Sequence, residues 1–218
     1  MKLHCLKFAL AAALILGMAP DSEADVMVTN LTEPTFSTFP VSSWWAGNRF
    51  ITDNSAPSFL LDSVTVKMDT ADAMPGNFFV AIYSHATDGP GTLLQTLTGN
   101  TNPATAGDYT YTSSGLSLAP NTSYWVVTGV SSGGVGGSGY LWKLSGDPFN
   151  FTGPWTIPAT DTHITSIGAG GENWRTDLPH DAYPRQFSVS ATAVPEPAVF
   201  VLVGLGVVTL LLRRRARA

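Results

Sequence analysis

The side chains that could carry out chemistry in this 218-residue chain are few and widely spaced. His85, His163 and His180 do not form the HxH or HExxH spacing of a zinc site. Asp69 and Asp72, with Asp88 further on, lack the ligand spacing of a calcium loop. We therefore expect no catalytic residue, no metal site and no cofactor, and a protein that is not an enzyme.

A polysaccharide-active enzyme stays open as a minor alternative. A glycosidase needs two carboxylates a few ångströms apart across a cleft, and acidic residues far apart in sequence could meet there. The sequence marks no such pair. It also contains no GxSxG nucleophile motif.

Tryptophan offers a second kind of chemistry, the stacking of an indole ring against a sugar ring. Trp44 and Trp45 are adjacent, so in a strand they would face opposite sides, one buried and the other exposed. Trp155 and Trp174 lie in a region rich in Gly, Pro and Thr. These four residues are predicted either to stack on glycans or to fill the core.

The segments that must position these residues are predicted to form β-strands. Leu60–Met68 alternates apolar and polar residues, Asn77–Ser84 is a nearly continuous apolar run, and Arg185–Ala191 alternates again. Further β-rich runs are Thr92–Leu97, Tyr109–Thr112, Ser123–Val130 and Gly139–Leu144. Turn residues separate them, and two short strands with long loops are expected within Pro148–Pro184. The sequence predicts an all-β domain over 25–193, an antiparallel β-sandwich of jelly-roll-like form.

The composition of this body restricts its partners. Residues 25–194 carry 13 acidic and 5 scattered basic residues, a net charge of −8. A nucleic-acid partner would require a basic face, so none is expected. The single cysteine, Cys5, precedes the body, which therefore has neither disulfides nor thiolate ligands.

The N-terminus has the pattern of a signal peptide. Lys2 and Lys7 precede an apolar run, Phe8–Gly17, and small residues follow. Ser22 and Ala24 fit a cleavage site, so residues 1–24 are predicted to form a signal helix that signal peptidase removes after Ala24 during Sec export. The alternative is an uncleaved N-terminal anchor.

The C-terminus has the pattern of a short membrane anchor. Ala198–Leu212 is uncharged, and as a helix its 15 residues would span roughly 22 Å, less than a hydrocarbon core of about 30 Å. Pro195 and Pro197 separate this predicted transmembrane helix from the body. A basic cluster predicted to keep the terminus cytoplasmic follows: Arg213, Arg214, Arg215 and Arg217. A plain single-pass tail anchor is the alternative.

Residues 194–218 resemble the PEP-CTERM sorting signal, which combines a Pro-Glu-Pro motif, an apolar helix and a terminal arginine cluster. The resemblance implies that Pro195, Glu196 and Pro197 are recognised by an exosortase, a membrane transpeptidase of certain Gram-negative bacteria. It further implies an inner-membrane intermediate, processing of the tail, and transfer to the outer envelope.

The body has a fainter resemblance of its own. Leu61–Val66, Phe79–Ser84, Asp88–Leu94, Leu118–Val127 and Gly139–Trp142 occur in an order similar to that of choice-of-anchor R domains. Those are surface β-domains that precede C-terminal anchors. The resemblance spans Trp44–Ala191 and implies a location and a fold, because the family has no assigned activity.

Two functions therefore compete for the body. The first is a non-catalytic adhesive or structural role in the cell envelope or in an extracellular, exopolysaccharide-rich matrix. The alternative is a carbohydrate-binding module, or less strongly a polysaccharide-active enzyme, delivered to the cell surface by the same export and sorting route.

Overall fold

The computed structural model describes residues 23–42, 44–87, 89–131, 138–147, 150–158, 162–166, 174–176 and 183–195. Within these ranges the chain forms thirteen β-strands. They are β1 Asp25–Thr29, β2 Thr35–Val41, β3 Trp44–Ile51, β4 Ser58–Asp69, β5 Phe78–Ala86, β6 Gly89–Thr96, β7 Gly107–Thr112, β8 Ser117–Leu118, β9 Ser123–Val130, β10 Tyr140–Ser145, β11 Thr162–Ser166, β12 Arg175–Thr176 and β13 Phe187–Val194.

The strands form two antiparallel sheets. A seven-stranded sheet has the order β1-β13-β4-β10-β2, with β7 and β8 also paired to β4. A six-stranded sheet has the order β12-β11-β3-β9-β5-β6. The predicted all-β sandwich is confirmed, and its jelly-roll-like form stays a prediction. The predicted terminal helices lie outside the described residues.

In β4, the alternation of apolar and polar residues determines which side chains are buried, with one interruption. Val64, Val66 and Met68 are fully buried at a spacing of two, as the sequence predicts. Pairing with β13 shifts register between Ser190 and Ala191, at a β-bulge. The bulge leaves Asp62 of β4 as an extra residue, so the alternation is reversed on its N-terminal side. Leu60 is therefore exposed beside the buried Leu61.

The main core lies between the sheets. One continuous cluster joins apolar residues of both inner faces, among them Phe50, Phe59, Tyr124 and Trp142, with Trp155 of the segment 150–158. Phe50 stacks on Trp155 with ring centroids 5.7 Å apart, and Phe59 meets Trp155 edge-on at 5.0 Å. Such aromatic pairs add to the stability that apolar burial already supplies.

Buried polar groups fix the start of β13. Arg185 donates its backbone N–H to Asn48 Oδ1 at 2.8 Å and a guanidinium N–H to the Gly47 carbonyl at 3.2 Å. Asn30 Oδ1 accepts from Phe187 N at 2.7 Å. The Arg185 guanidinium also lies 4.7 Å from the Phe39 ring centroid, a cation–π contact. This network ties β13 to both sheets.

Two turns contain non-glycine residues with positive φ. Asn77 has φ 54° after Gly76 at 76°, in the predicted turn that precedes β5. Asn121 has φ 47° in the predicted turn that precedes β9. Asparagine tolerates this left-handed conformation better than most residues, so both turns match their sequences.

Strand directions define two ends of the sandwich. We call the end where β13 finishes the proximal end; Val194 there pairs with Ser58, the first residue of β4. At the opposite, distal end, Asp69 pairs with Leu141 and Asp72 N donates to the Gly139 carbonyl. Twelve residues of β4 separate the two ends, roughly 36 Å at strand rise.

Candidate functional site

The outer face of the six-stranded sheet carries a second apolar cluster, separate from the main core. Alternate residues of β5 and β9 are buried there: Ala81, Tyr83, Trp125 and Val127. Trp45, Phe79 and Trp174 are partly buried and pack against them. We call these seven residues the outer aromatic cluster. Polar side chains usually occupy the outer face of a sandwich, so such a cluster is a candidate for function.

Strand register places Trp45 and Phe79 side by side. Gly129 of β9 lies between them, because Phe79 pairs with Gly129 and Ala46 pairs with Thr128. The two rings meet edge-on with centroids 5.0 Å apart. A Cβ at Gly129 would lie 2.6 Å from Phe79 Cζ and 2.6 Å from Trp45 Cδ1, so only glycine fits beneath them.

The orientation of Trp45 is fixed from below. Its indole N–H donates to the Val130 carbonyl at 3.1 Å. A hydrogen bond of this kind holds an indole whose face remains partly exposed, so the ring is already oriented before any ligand arrives.

An open groove of about 550 Å³ lies beside these rings. Trp45, Phe79, Tyr83 and Leu93 supply its apolar surface, and Thr96 and Thr101 supply hydroxyls. The remaining lining residues are Asn77, Phe78 and Ser131. None of these nine described residues is charged. We call this the distal groove, because Asn77, Thr101 and Ser131 belong to the loops at the distal end.

The four predicted stacking tryptophans occupy different places. Trp44 packs against the main core and Trp45 against the outer aromatic cluster, so the two do face opposite sides, although both are only partly buried. Trp155 is 1% exposed and fills the main core, so its predicted surface role does not fit this fold. Trp174 packs in the outer aromatic cluster, 6.4 Å from Tyr83 between centroids.

Sequence reasoning missed Phe79 and Tyr83, which complete the groove with Trp45. Both belong to the predicted strand Asn77–Ser84, which the sequence marks as a nearly continuous apolar run. The length of that apolar run was the signal that could have identified them. A strand that is apolar on both faces needs other residues to cover both of them. The second face of β5 forms part of the outer aromatic cluster.

A second groove of about 520 Å³ lies toward the proximal end and contains His85. Trp125 donates its indole N–H to His85 Nδ1 at 3.0 Å, and the other ring nitrogen of His85 is Nε2. That nitrogen lies 3.3 Å from Arg49 Nη1. None of the described lining residues is a carboxylate.

The candidate metal ligands are dispersed. Among the described residues no three His, Cys, Asp or Glu side chains cluster closely enough to hold a metal ion. Asp69 pairs with Lys143 at 3.5 Å. His163 lies in β11, and Asp88 and His180 lie outside the described residues.

The predicted sorting residues begin where the fold ends. β13 finishes at Val194, and Pro195 is exposed. Glu196, Pro197, the apolar segment Ala198–Leu212 and the arginine cluster lie outside the described residues. Within the described part of the chain, no helix has the length and apolar character needed to cross a membrane.

Comparison with known proteins concerns this terminal segment. Residues 193–215 match the family model of the PEP-CTERM protein-sorting motif. The chain carries a sorting motif. It implies an exported protein that exosortase processes and that is sorted to the cell surface. A comparison with curated proteins found no match. The resemblance of the body to a choice-of-anchor R domain has no support from these comparisons.

Proposed function

We propose that the protein is a non-catalytic adhesive or structural component of the outer envelope or extracellular matrix of a Gram-negative-type bacterium. The observation that carries this proposal is the sorting motif at 193–215, which begins in the last two residues of a β-sandwich. Sec and signal peptidase would export the chain, and exosortase would act on it at an inner-membrane intermediate.

The placement of the two ends of the body supports this route. Asp25, the residue after the predicted cleavage site, is the first residue of β1 and pairs with Ala191 of β13. Both membrane-directed segments therefore join the sandwich at its proximal end, in neighbouring strands. Removing residues 1–24 or processing the tail beyond Val194 leaves every described strand complete.

The hydrogen bonding of β13 suits a strand that carries the tail. It pairs with β1 on one side and with β4 on the other, along its whole length on the β4 side. A strand paired on both sides cannot leave the sheet without breaking both ladders. The body would therefore remain folded while the tail is held and processed.

Deleting Pro195–Pro197 tests the sorting part of the proposal. We expect the deletion variant to remain in the inner membrane, because the transpeptidase would lose its recognition residues while the apolar segment is kept. Fractionation of the envelope followed by immunoblotting measures this. The control is Pro154→Ala, which removes an exposed proline outside the motif. Surface delivery of the deletion variant at the normal level would contradict the proposal.

The alternative of a carbohydrate-binding module has one observation in its favour. The distal groove combines partly exposed aromatic rings with hydroxyl groups, as sugar-binding surfaces require. The related alternative of a polysaccharide-active enzyme has no corresponding support, because none of the described residues lining either groove is a carboxylate.

A further inference from the structure

We propose that the distal groove binds a chain of a neutral polysaccharide. This deepens the adhesive role in the proposed function by assigning it a site and a class of ligand. Three properties of the groove point to this ligand: its aromatic surface, its hydroxyl groups and its lack of charge. A fourth property, its position, relates binding to sorting.

The aromatic surface is preorganised. Trp45 is held by its hydrogen bond to Val130 and by the Phe79 ring at 5.0 Å. Both rings pack over Gly129, and Leu93, which is 48% exposed, extends the apolar surface. The C–H face of a sugar ring packs on such rings without ordering new side chains, which reduces the entropic cost of binding.

The hydroxyl groups around this surface are available to a ligand. Thr96 and Thr101 are exposed, and within the described part of the chain their side chains make no hydrogen bond. A hydroxyl both donates and accepts, so it matches the hydroxyl groups of a sugar in either direction. Apolar rings flanked by uncommitted hydroxyls favour a ligand with apolar and polar edges.

The lack of charge selects neutral ligands. A body with a net charge of −8 repels an anionic polymer at long range. None of the described lining residues is basic, so none of them offsets this repulsion. An uncharged groove also imposes no ion-desolvation cost on a neutral chain. The structure therefore points to a neutral glycan rather than an acidic one.

The position of the groove suits a surface protein. The described chain ends at Pro195 at the proximal end, while Asn77, Thr101 and Ser131 place one end of the groove at the distal end. In the proposed inner-membrane intermediate, the proximal end would lie next to the membrane and the distal end of the groove would lie on the side away from it.

Binding can be measured with the full chain purified in detergent. The probes are immobilised β-glucan, mannan and galactan, with polygalacturonate as the anionic comparison. We expect retention on at least one neutral polymer. Trp45→Ala should weaken it by at least about tenfold, the loss typical of removing an aromatic residue at the centre of a binding site.

Leu93→Glu separates binding from folding. Leu93 is 48% exposed, so a carboxylate there leaves the fold intact and places a charge in the groove. We expect a loss of at least about tenfold. The matched controls are Leu94→Glu at a neighbouring exposed leucine, and Phe36→Ala at an exposed aromatic residue of the other sheet. Both should bind within about twofold of the original chain.

Several results would overturn the proposal. They are no retention on any neutral polymer, retention on polygalacturonate alone, and unchanged binding by Leu93→Glu. Binding only of an extended peptide, paired with the edge strand β6, would contradict it as well. The binding assay uses purified protein, so its result does not depend on sorting. The Pro195–Pro197 deletion leaves the groove unchanged, so it tests sorting alone.

Discussion

The two faces of the six-stranded sheet are both aromatic, yet they differ in what covers them. On the inner face, Phe50 stacks on Trp155 of the segment 150–158 within the main core, and both residues are at most 1% exposed. On the outer face, Trp45 and Phe79 keep part of their surface uncovered beside an open groove. The same residue types thus stabilise the fold on one face, and on the other they form the surface that we propose binds polysaccharide.

Removing an aromatic residue from the inner face should have the largest effect on stability. Trp155→Ala leaves a cavity against Phe50 and Phe59, and we expect it to lower the free energy of unfolding by about 3–5 kcal/mol. Trp155→Phe is the control, because it keeps an aromatic ring and removes an indole N–H that has no hydrogen-bond partner among the described residues. Urea unfolding measures both. An equal loss in the two variants would contradict this assignment.

Filling the space beneath the outer rings should have an intermediate effect. Gly129→Ala places a Cβ 2.6 Å from both Trp45 and Phe79, so the rings must move, at a cost of about 1–3 kcal/mol, and polysaccharide binding should fall. Gly47→Ala on the same face is the matched control, since its Cβ would meet only ordinary contacts at 3.4 Å. If both variants behaved alike, the packing of the rings on Gly129 would not matter.

The ionisation of two buried tyrosines, one in the main core and one in the outer aromatic cluster, should lower the stability of the protein at alkaline pH. Burial raises the pKa of both Tyr111 in the main core and Tyr83 in the outer aromatic cluster above 10.0, and neighbouring Tyr109 and Tyr140 raise that of Tyr111 further. The unfolded chain therefore loses these protons first. The free energy of unfolding should not depend on the ionisation of these tyrosines below about pH 10. Above about pH 10 it should fall by up to about 1.4 kcal/mol per pH unit for each tyrosine.

The substitutions Tyr111→Phe and Tyr83→Phe test this dependence. Each should flatten the alkaline decline in the free energy of unfolding between pH 10 and 11.5, and Tyr111→Phe should do so over the wider range. The measurement is urea unfolding at several pH values. An unchanged slope in Tyr111→Phe would show that this residue does not carry the effect.

Strands that read clearly in the sequence share one property, which is a local apolar pattern. Ser123–Val130 was predicted with the observed bounds of β9, and β5, β6, β7, β10 and β13 were each placed within a few residues. β2 was not predicted. It contains Pro40, which an edge strand tolerates because one side of its backbone needs no partner.

The site could be predicted only in part, because it depends on register. The adjacency of Trp44 and Trp45 predicts opposite faces, but which face the second sheet covers is decided by strand order. Trp155 lies outside the strands, as its Gly-, Pro- and Thr-rich surroundings predict, and of the two predicted roles it takes the one in the core. The sorting motif, in contrast, was predictable because its residues are contiguous and need no fold to be recognised.

Oxidation of individual tryptophans by N-bromosuccinimide, read by mass spectrometry of the full chain, tests the difference between the two faces most directly. We expect Trp45 to be oxidised in the free protein and to be protected by a bound neutral polysaccharide. Trp125, Trp142 and Trp155 should stay unmodified in both states, since all are at most 1% exposed. Protection of Trp45 in the free protein to the same extent as Trp155 would contradict the account.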